Sequence, residues 1–287
     1  MTTTVERTGR RRRTALRAFG RTGVTLLGVA ISVLLAAPIF WVIVTSLKDA
    51  TGIAADPLGL PTNLVVANYE RAWHAGHFDR YFMNSLLVVV PSVTGVLGLS
   101  LLSGFAFALW SFPGKRLLFG LFLLGLTLPL GVLVIPLFYQ MKALGLLDSL
   151  WALILPQVSI LLPFGTLMMR AFIQDLASEI FDAARIDGCT SVQLLRLVVV
   201  PLVRPALLSL MVLSFMWTWN QFLLPVVLTQ SEGSRTLPLG LNLFKGRYGT
   251  DLPLLMAGAT ITFLPVVLVY LALQRHFIKG ISAGALK

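Results

Sequence analysis

The amino-acid sequence predicts an all-α membrane protein with six transmembrane helices, cytoplasmic N- and C-termini, and a cytoplasmic helix between the fourth and fifth spans. Three observations predict this fold class. Hydrophobic residues make up 56% of the 287 positions, and many of them form long runs. Between the fourth and fifth runs lies a polar segment with helical periodicity. The Lys and Arg residues are unevenly divided between the segments that would alternate across the membrane.

Each apolar run is long enough to cross the hydrocarbon core, which takes roughly 20 residues of helix. Because backbone N–H and C=O groups cannot go unpaired in hydrocarbon, each run is expected to be helical. The alternating pattern of membrane barrel strands does not occur in these runs. The six predicted spans are Thr22–Ser46, Met83–Leu109, Leu117–Tyr139, Leu150–Met169, Ala206–Thr229 and Leu254–Leu273.

The distribution of Lys and Arg orients the spans, because cytoplasmic loops carry an excess of both. If the two termini lie on one side of the membrane, that side holds 16 of the 23 Lys and Arg residues and the other side holds 7. The richer side is therefore predicted to be the cytoplasm. This orientation describes a multi-pass protein of the inner, or cytoplasmic, cell membrane.

The spans divide the chain into four regions. Residues 1–21 are predicted to be a basic cytoplasmic tail, 22–80 the first transmembrane helix and an outer loop, 81–275 a transmembrane core, and 276–287 a cytoplasmic C-terminal tail. The arginines of the first tail stand next to a span, so attraction to anionic membrane lipid explains them better than nucleic-acid binding does.

Spans two to six carry residues that shape helix packing. The second span has Gly or Ser at positions 95, 98, 100, 103 and 104, and small residues let helices pack closely in lipid. Interior prolines remove a helix hydrogen bond and favour a kink. Kinked helices suit a path that opens between them, although membrane helices also tolerate proline without such a role. These prolines are Pro129, Pro136, Pro156, Pro163, Pro225 and Pro265.

The polar segment 175–200 predicts a helix, a sharp corner and a second helix. Asp175, Glu179 and Asp182 would share one face of the first helix, with Asp175 as its N-cap. Gly188 is predicted at the position after the helix end, where a left-handed backbone favours glycine.

The second helix of this segment is predicted to open with a capping box at Thr190 and Gln193. Ala183 and Ala184 are expected on the outside of the first helix, where small side chains let a partner surface approach closely. An amphipathic connector that lies on the membrane surface is an equally simple interpretation. The single cysteine, Cys189, cannot form an intrachain disulfide.

The fifth span contains the amides Asn220 and Gln221, which are costly in lipid and should face the bundle or a water-filled path. Trp217 and Trp219 stand beside them. Tryptophan rings can stack on the apolar face of a sugar while amides bond its hydroxyls, so these four residues are candidates for a substrate path. The alternative is that the amides bond a neighbouring helix.

A resemblance to a known family rests on the motif Asp182-Ala183-Ala184-x-x-Asp187-Gly188 with Pro201-Leu202 after it. This motif resembles the Glu-Ala-Ala loop of ATP-binding-cassette import permeases. The outer-loop stretch 236–246 and the C-terminal segment 274–287 resemble the sugar-importer branch, in particular the shorter permease of maltose-type systems. The fifth span resembles the family's Trp-Asn-acid-Phe pattern at 219–222, with Gln221 in place of the acid. Two departures within the loop are Asp182 in place of the glutamate and Ala177 in place of a proline at the helix start.

The resemblance implies that 81–275 is a type-1 importer core in which the 175–200 segment is a coupling loop. Its helix would dock into a cleft on an ATPase subunit. The implied partners are a second permease subunit in a heterodimer, two ATPase subunits, an extracytoplasmic solute-binding protein, a sugar and membrane lipid, with no nucleic acid. The implied ATPase-coupling residues are Glu179, Asp182, Ala183, Ala184, Asp187 and Gly188.

No phosphate-binding G-x-x-x-x-G-K-[ST] motif and no catalytic constellation occur, so the chain is not expected to be an enzyme. No catalytic residue or cofactor is predicted, and two histidines, His74 and His77, are too few to predict a metal site. The favoured function is the permease subunit of an ATP-driven importer for a sugar, of di- or oligosaccharide size.

Three alternatives remain at this point. One is a stand-alone ion-coupled solute carrier or channel, another is a permease for a different small polar solute such as glycerol phosphate, and a third is a membrane scaffold that transports nothing. The six apolar runs have no Asp, Glu, Lys, Arg or His well inside them. Ion-coupled carriers commonly place such residues in mid-membrane, so this composition disfavours the carrier.

Overall fold

The computed structural model describes the backbone of residues 3–246 and 249–285, and the side chains of residues 24–246 and 249–274. The side chains of the predicted basic tail 1–21 and of the predicted tail 276–287 lie outside the described residues. Apart from one isolated bridge between Lys245 and Thr250, the described backbone consists of helices and their connections. The all-α prediction is therefore confirmed for this part of the chain.

Fourteen α-helices occur within the described ranges. The first seven are α1 (Thr3–Ser46), α2 (Ala50–Ala55), α3 (Ala67–Ala75), α4 (Phe78–Leu109), α5 (Lys115–Thr127), α6 (Leu130–Ala143) and α7 (Trp151–Gln174). The other seven are α8 (Ser178–Ile186), α9 (Ser191–Gln193), α10 (Val200–Leu202), α11 (Arg204–Trp219), α12 (Leu223–Leu228), α13 (Leu237–Gly240) and α14 (Leu252–Ala285). A π-helix joins α9 to α10 at Leu194–Val199, and a 3₁₀ turn follows α13 at Leu241–Phe244.

Four described helices are long and apolar enough to cross a membrane, and two bent helix pairs raise the number to as many as six. The four are the Val24–Ser46 part of α1, α4, α7 and the Leu252–Gln274 part of α14. The bent pairs are α5 with α6, and the Ser191–Leu202 segment with α11. The chain is thus a multi-pass helical membrane protein with four to six candidate spans.

The third predicted span is not one helix, because it breaks before Pro129. Leu128 has an extended backbone with φ −83° and ψ 116°, and α5 and α6 meet at 107°. A proline disfavours the helical conformation of the residue before it, which explains why the chain turns at Leu128. Pro136, in contrast, lies inside the continuous helix α6.

The fifth predicted span also breaks, between α11 and α12. Helix α11 ends at Trp219, and α12 begins at Leu223. Pro225 has no N–H with which to bond the carbonyl of Gln221, so the helix cannot run through these positions without losing a hydrogen bond. A proline fits the first turn of a new helix, which is where Pro225 stands in α12. Asn220 and Gln221 therefore lie at a break in the helix and not inside one.

Helices α4 and α7 form the main packed pair of the bundle. They approach closely at Gly104, where an added Cβ would come within 2.5 Å of Met169 Cβ and 2.9 Å of Arg170 N. Ser103 and Thr166 share a 2.7 Å hydrogen bond between their hydroxyls. Ser103 and Gly104 of the second span thus serve close packing, as the sequence predicts, whereas Gly98 meets nothing within 4 Å.

The segment that connects α12 to α13 is held at the end of α7 that lies away from α8. Asp148 accepts hydrogen bonds from the N–H groups of Gln230 and Ser231, each at 2.9 Å, and from Ser234 Oγ. Asn84 of α4 donates its Nδ2 to the carbonyls of Gly233 and Arg235. Both contacts reach across more than 80 residues of sequence and attach this loop to the bundle.

Candidate functional site

The corner after α8 has the geometry that the sequence predicts. Gly188 has φ +78°, in the left-handed region. Its N–H bonds the carbonyl of Arg185, and the N–H of Cys189 bonds the carbonyl of Ala184, both at 3.0 Å. This pair of bonds is a Schellman motif, which satisfies the last carbonyls of a helix and turns the chain sharply.

The start of α8 differs from the prediction. Asp175 is the C-cap of α7, because its N–H bonds the carbonyl of Ala171 and so continues the preceding helix. Helix α8 begins at Ser178 after the N-cap Ala177, which makes no side-chain capping bond. The prediction that Asp175 caps this helix is therefore wrong.

The capping box after the corner is confirmed. Thr190 N–H donates to Gln193 Oε1 at 2.8 Å, and Gln193 N–H donates to Thr190 Oγ1 at 3.3 Å. Two N-terminal donors of the second helix are satisfied in this way, which holds the direction in which the chain leaves the corner. The chain then enters the π-helix that leads to α10 and α11.

The two alanines of the motif lie in different environments. Ala183 is exposed, but Ala184 is buried together with Phe181 on the side of α8 that faces the bundle. The expectation that both alanines lie outside is wrong for Ala184, because adjacent residues of a helix point about 100° apart. Ala184 therefore belongs to the buried side of α8, and Ala183 belongs to its exposed side.

Helix α8 is attached to the bundle by a cluster of buried apolar side chains. Phe181 and Ala184 pack with Phe105 of α4, Ile173 of α7 and Val199 of the π-helix. A displacement of α8 would therefore act on two long helices and on the segment that leads into α11. This arrangement can transmit a push at α8 to the interior of the bundle.

The outer surface of α8 is mostly polar and carries two exposed large apolar side chains, Ile180 and Ile186. Glu179, Asp182 and Asp187 are exposed, and Asp182 pairs with Arg185 at 3.3 Å. An ion pair this exposed contributes little to stability, so the carboxylate remains available to a partner. Ile186 is 86% exposed and was not singled out from the sequence. The sequence did carry a signal, because Ile186 stands directly before the polar corner and does not belong to the buried side of α8.

The break in the fifth span opens onto a cavity of about 370 Å³. Its apolar wall is formed by Leu130, Ile160, Leu161 and Met216. Its other lining residues are Trp217, Asn220 and Gln221 together with Gln157 and Thr218. The structure thus brings three of the four predicted path residues to one cavity.

The two amides at the break are oriented by their backbone partners. Asn220 Nδ2 donates to the carbonyl of Met216 at 2.8 Å, so Oδ1 is left as an acceptor. Gln221 Oε1 accepts from the N–H of Leu223 at 3.1 Å, so Nε2 is left as a donor. A sugar hydroxyl both donates and accepts, and the cavity offers it one group of each kind.

The two tryptophans have different roles. Trp217 is 60% exposed and lines the cavity, with its ring 6.3 Å from that of Phe164. Trp219 is 1% exposed, stacks on Phe215 and does not line the cavity. The structure therefore places Trp219 in the core and not in the predicted path, because two positions along a helix turn a side chain by about 200°.

Sequence reasoning missed Gln157 and Thr218. Both are buried, and Gln157 Oε1 and Thr218 Oγ1 have no hydrogen-bond partner among the described residues. A glutamine in the middle of the fourth apolar run was a readable signal, since an amide is costly in lipid. The position of Thr218 beside Asn220 became informative only when the cavity was known.

Comparisons with known proteins show which family the chain belongs to. Residues 96–283 match the family described as "Binding-protein-dependent transport system inner membrane component". The chain is 33% identical over 258 residues to the diacetylchitobiose uptake system permease protein NgcG of Streptomyces coelicolor, covering 89% of this chain and 85% of that protein. It is 31% identical over 271 residues to the arabinooligosaccharides transport system permease protein AraQ of Bacillus subtilis, covering 93% and 96%.

A solved structure shares the fold. The crystal structure of a bacterial ABC transporter involved in the import of the acidic polysaccharide alginate superposes with a TM-score of 0.76. The match is 23% identical and covers 91% of this chain and 97% of that one. The permeases of this family are transport components, and ATP is hydrolysed by a separate subunit. With the helical bundle, the bent spans and the matched residues taken together, the chain belongs to the family of binding-protein-dependent inner membrane components, the permease subunits of ABC importers.

Proposed function

We propose that this chain forms half of the translocation path for a di- or oligosaccharide, which an extracytoplasmic binding protein delivers. The observation that carries the proposal is the cavity at the break between α11 and α12, with an exposed Trp217 ring beside Asn220 and Gln221. Aromatic faces and amides are the groups that bind sugars. Relatives named for diacetylchitobiose and arabinooligosaccharide uptake support the same substrate class.

The proposed topology has six spans in the cell membrane, with both termini and α8 in the cytoplasm. In this arrangement α5 and α6 together form the third span, and α11 and α12 together form the fifth. The excess of Lys and Arg on one side supports the orientation, because 16 of the 23 lie in the segments assigned to the cytoplasm. The loop held by Asp148 and Asn84 then faces outward, where a binding protein would dock.

In the proposed mechanism, α8 is the coupling helix that seats in a cleft of one of two ATPase subunits. Glu179, Asp182, Ala183, Asp187 and Gly188 form its outer surface, and Ala184 anchors it from within. A second permease subunit supplies the other half of the path and its own coupling helix. When ATP draws the two ATPase subunits together, the two coupling helices approach each other.

The bundle can convert that movement into a change of access. The cluster of Phe105, Ile173, Phe181, Ala184 and Val199 moves with α8 and displaces the ends of α4 and α7. Because α5/α6 and α11/α12 are already broken, their halves can rotate at Leu128 and at Asn220 without losing further helix hydrogen bonds. Such bends beside a cavity are what alternating access requires.

The decisive experiment is co-purification of this chain with its second permease, ATPase and binding protein, followed by reconstitution into liposomes. We expect ATP-dependent uptake of a di- or oligosaccharide, and ATP hydrolysis that rises when the binding protein carries that sugar. Liposomes that hold this chain without the ATPase are the control and should take up nothing. Uptake by the chain alone, without ATP, would identify a stand-alone carrier instead.

Topology is tested by labelling with a membrane-impermeant maleimide. In a Cys189→Ser background, Ser178→Cys on α8 should react in inverted membrane vesicles, and Glu232→Cys in the loop held by Asp148 should react in right-side-out vesicles. Both positions are exposed. The reverse pattern would place α8 outside the cell and remove it from any contact with an ATPase.

A further inference from the structure

We propose that Gln157 and Thr218 contact the transported molecule directly, and that this chain's half of the path is built for an uncharged carbohydrate. The inference rests on the proposed function and narrows its substrate class. It starts from two buried polar groups that the packing of the chain leaves unsatisfied.

Gln157 and Thr218 come from different helices, α7 and α11, and meet at the wall of one cavity. Gln157 is 4% exposed and Thr218 is 5% exposed. Neither Gln157 Oε1 nor Thr218 Oγ1 has a hydrogen-bond partner among the described residues.

The unsatisfied hydroxyl of Thr218 contrasts with the hydroxyls of Thr229 and Thr262, whereas Thr45 and Thr236, which do not line the cavity, also lack a partner among the described residues. Thr229 and Thr262 donate to the carbonyl four residues earlier, at 2.7 and 2.8 Å, and so satisfy themselves within their own helices. An unpaired polar group in a dry interior is unfavourable, and an apolar residue of the same shape would avoid the penalty. Of the eight buried polar atoms without a partner among the described residues, only these two belong to residues that line the cavity, so a molecule that enters the cavity and displaces its wall can supply their partner.

The lining has the chemistry of a carbohydrate site. Asn220 Oδ1 and Gln157 Oε1 can accept, Gln221 Nε2 can donate, and Thr218 Oγ1 can do both. A row of sugar hydroxyls needs this mixture of donors and acceptors. The exposed ring of Trp217 provides a flat apolar surface for the face of a sugar ring.

The same lining argues against an anion. Among the described side chains that line the cavity, none is charged. A phosphate, carboxylate or sulfonate in a water-poor site needs Arg, Lys or a comparable array of charge-assisted donors. A neutral di- or oligosaccharide fits this half of the path, and glycerol phosphate does not.

The test uses the reconstituted importer with apolar replacements of similar shape, Gln157→Met and Thr218→Val. The probe is the molecule that the wild-type complex takes up fastest from a panel of diacetylchitobiose, trehalose, arabinooligosaccharides, a uronic-acid disaccharide and glycerol phosphate. Thr218→Ser keeps a hydroxyl and serves as a conservative control. Ser92→Ala removes another buried hydroxyl that has no partner in the described part of the chain and does not line the cavity, and serves as a matched control.

A role in substrate contact and a structural role predict different results. If the groups meet the sugar, each apolar variant should keep or raise the thermal stability of the complex while its uptake falls about fivefold, the effect of one lost hydrogen bond. Ser92→Ala should take up the sugar at nearly the wild-type rate, and Thr218→Ser should retain more of the uptake than Thr218→Val does. A monodeoxy analogue of the probe lacks one sugar hydroxyl. One such analogue will lack the hydroxyl that Gln157 bonds, and Gln157→Met and the wild type should take up that analogue at the same rate.

Unchanged uptake in both Gln157→Met and Thr218→Val, with an active wild-type complex, would overturn the inference and leave the proposed function intact. Preference of the wild-type complex for the uronic-acid disaccharide or glycerol phosphate would also overturn it. A wild-type complex that moves none of the sugars would instead count against the proposed function, and the inference would fall with it.

Discussion

Trp219 donates a hydrogen bond from Nε1 to the backbone carbonyl of Thr262 at 2.9 Å, which joins the end of α11 to the middle of α14. The same indole stacks on Phe215 with ring centroids 5.5 Å apart and meets Phe82 edge-on. This contact holds the last residue of α11, immediately before the break at Asn220. The indole thus stabilises one wall of the cavity from behind.

Replacing each tryptophan by alanine should separate structure from transport. Trp219→Ala should destabilise the protein by about 3–5 kcal/mol, because a fully buried aromatic side chain is lost and a cavity remains. Trp217→Ala should leave stability nearly unchanged and reduce sugar uptake, because its exposed ring has few contacts to lose. Thermal unfolding in detergent and uptake by liposomes measure the two effects. Equal stability of both variants would mean that Trp219 is not a core residue.

The left-handed glycine at the corner after α8 gives a test of coupling. Gly188→Val should weaken binding of the ATPase and reduce ATP-dependent uptake, because a β-branched residue at φ +78° strains the corner by about 1–2 kcal/mol. The matched control is Gly145→Val. Gly145 has φ +69° and equally open surroundings, but it lies at the end of α6, away from α8. Co-purification of the ATPase with each variant decides the question, and equal amounts in both would remove the corner from the coupling route.

The loop held by Asp148 should loosen in acid. Hydrogen bonds from Ser234 Oγ and from the N–H groups of Ser231 and Gln230 hold the pKa of the Asp148 carboxyl well below its ordinary value of 3.8. A carboxyl whose pKa is lowered by folding contributes stability above its ordinary pKa, and that contribution is lost as the pH falls below it. The protection of the amide hydrogens at residues 230–234, measured against the intrinsic exchange rate at the same pH, should therefore fall below about pH 4.

Asp148→Asn is the control for the charge, because asparagine tolerates the left-handed backbone of this position, where φ is +60°. At neutral pH the variant should raise exchange at Gln230 and Ser231 by about tenfold, since a charge-assisted hydrogen bond is replaced by a neutral one. It should also lose the acid dependence of the wild type. An acid dependence that survives in Asp148→Asn would assign the effect to another group.

Close packing of α4 on α7 gives a prediction for two glycines of one helix. Gly104→Ala should destabilise the bundle by about 1–3 kcal/mol, because its Cβ would overlap Met169 and the backbone of Arg170. Gly98→Ala meets nothing within 4 Å and should be neutral or slightly stabilising, because alanine favours the helix. Thermal unfolding of the two variants in the same detergent checks the difference. A destabilised Gly98→Ala variant would show that this face of α4 packs against a partner subunit.

Local features were the ones that could be predicted. The lengths of the apolar runs, the left-handed Gly188 and the capping box of Thr190 with Gln193 depend only on residues within a few positions of one another. The prolines of the third and fifth spans predicted irregular helices there, but they did not predict how far each span would bend. Whether a helix kinks or breaks depends on what its two halves pack against. Asp175 was misplaced because α7 runs on to Gln174 before α8 starts.

The sequence by itself determined that this is a helical membrane protein with a sharp polar corner, because hydrophobic length and backbone preference act within each segment. Only the tertiary structure decided which of two neighbouring tryptophans enters the core and which of two adjacent alanines faces outward, because each choice depends on the helix opposite. The sequence also could not predict that Gln157 and Thr218 line the same cavity. These residues belong to separate helices, and only the packing of α7 beside α11 brings their unsatisfied groups to one cavity.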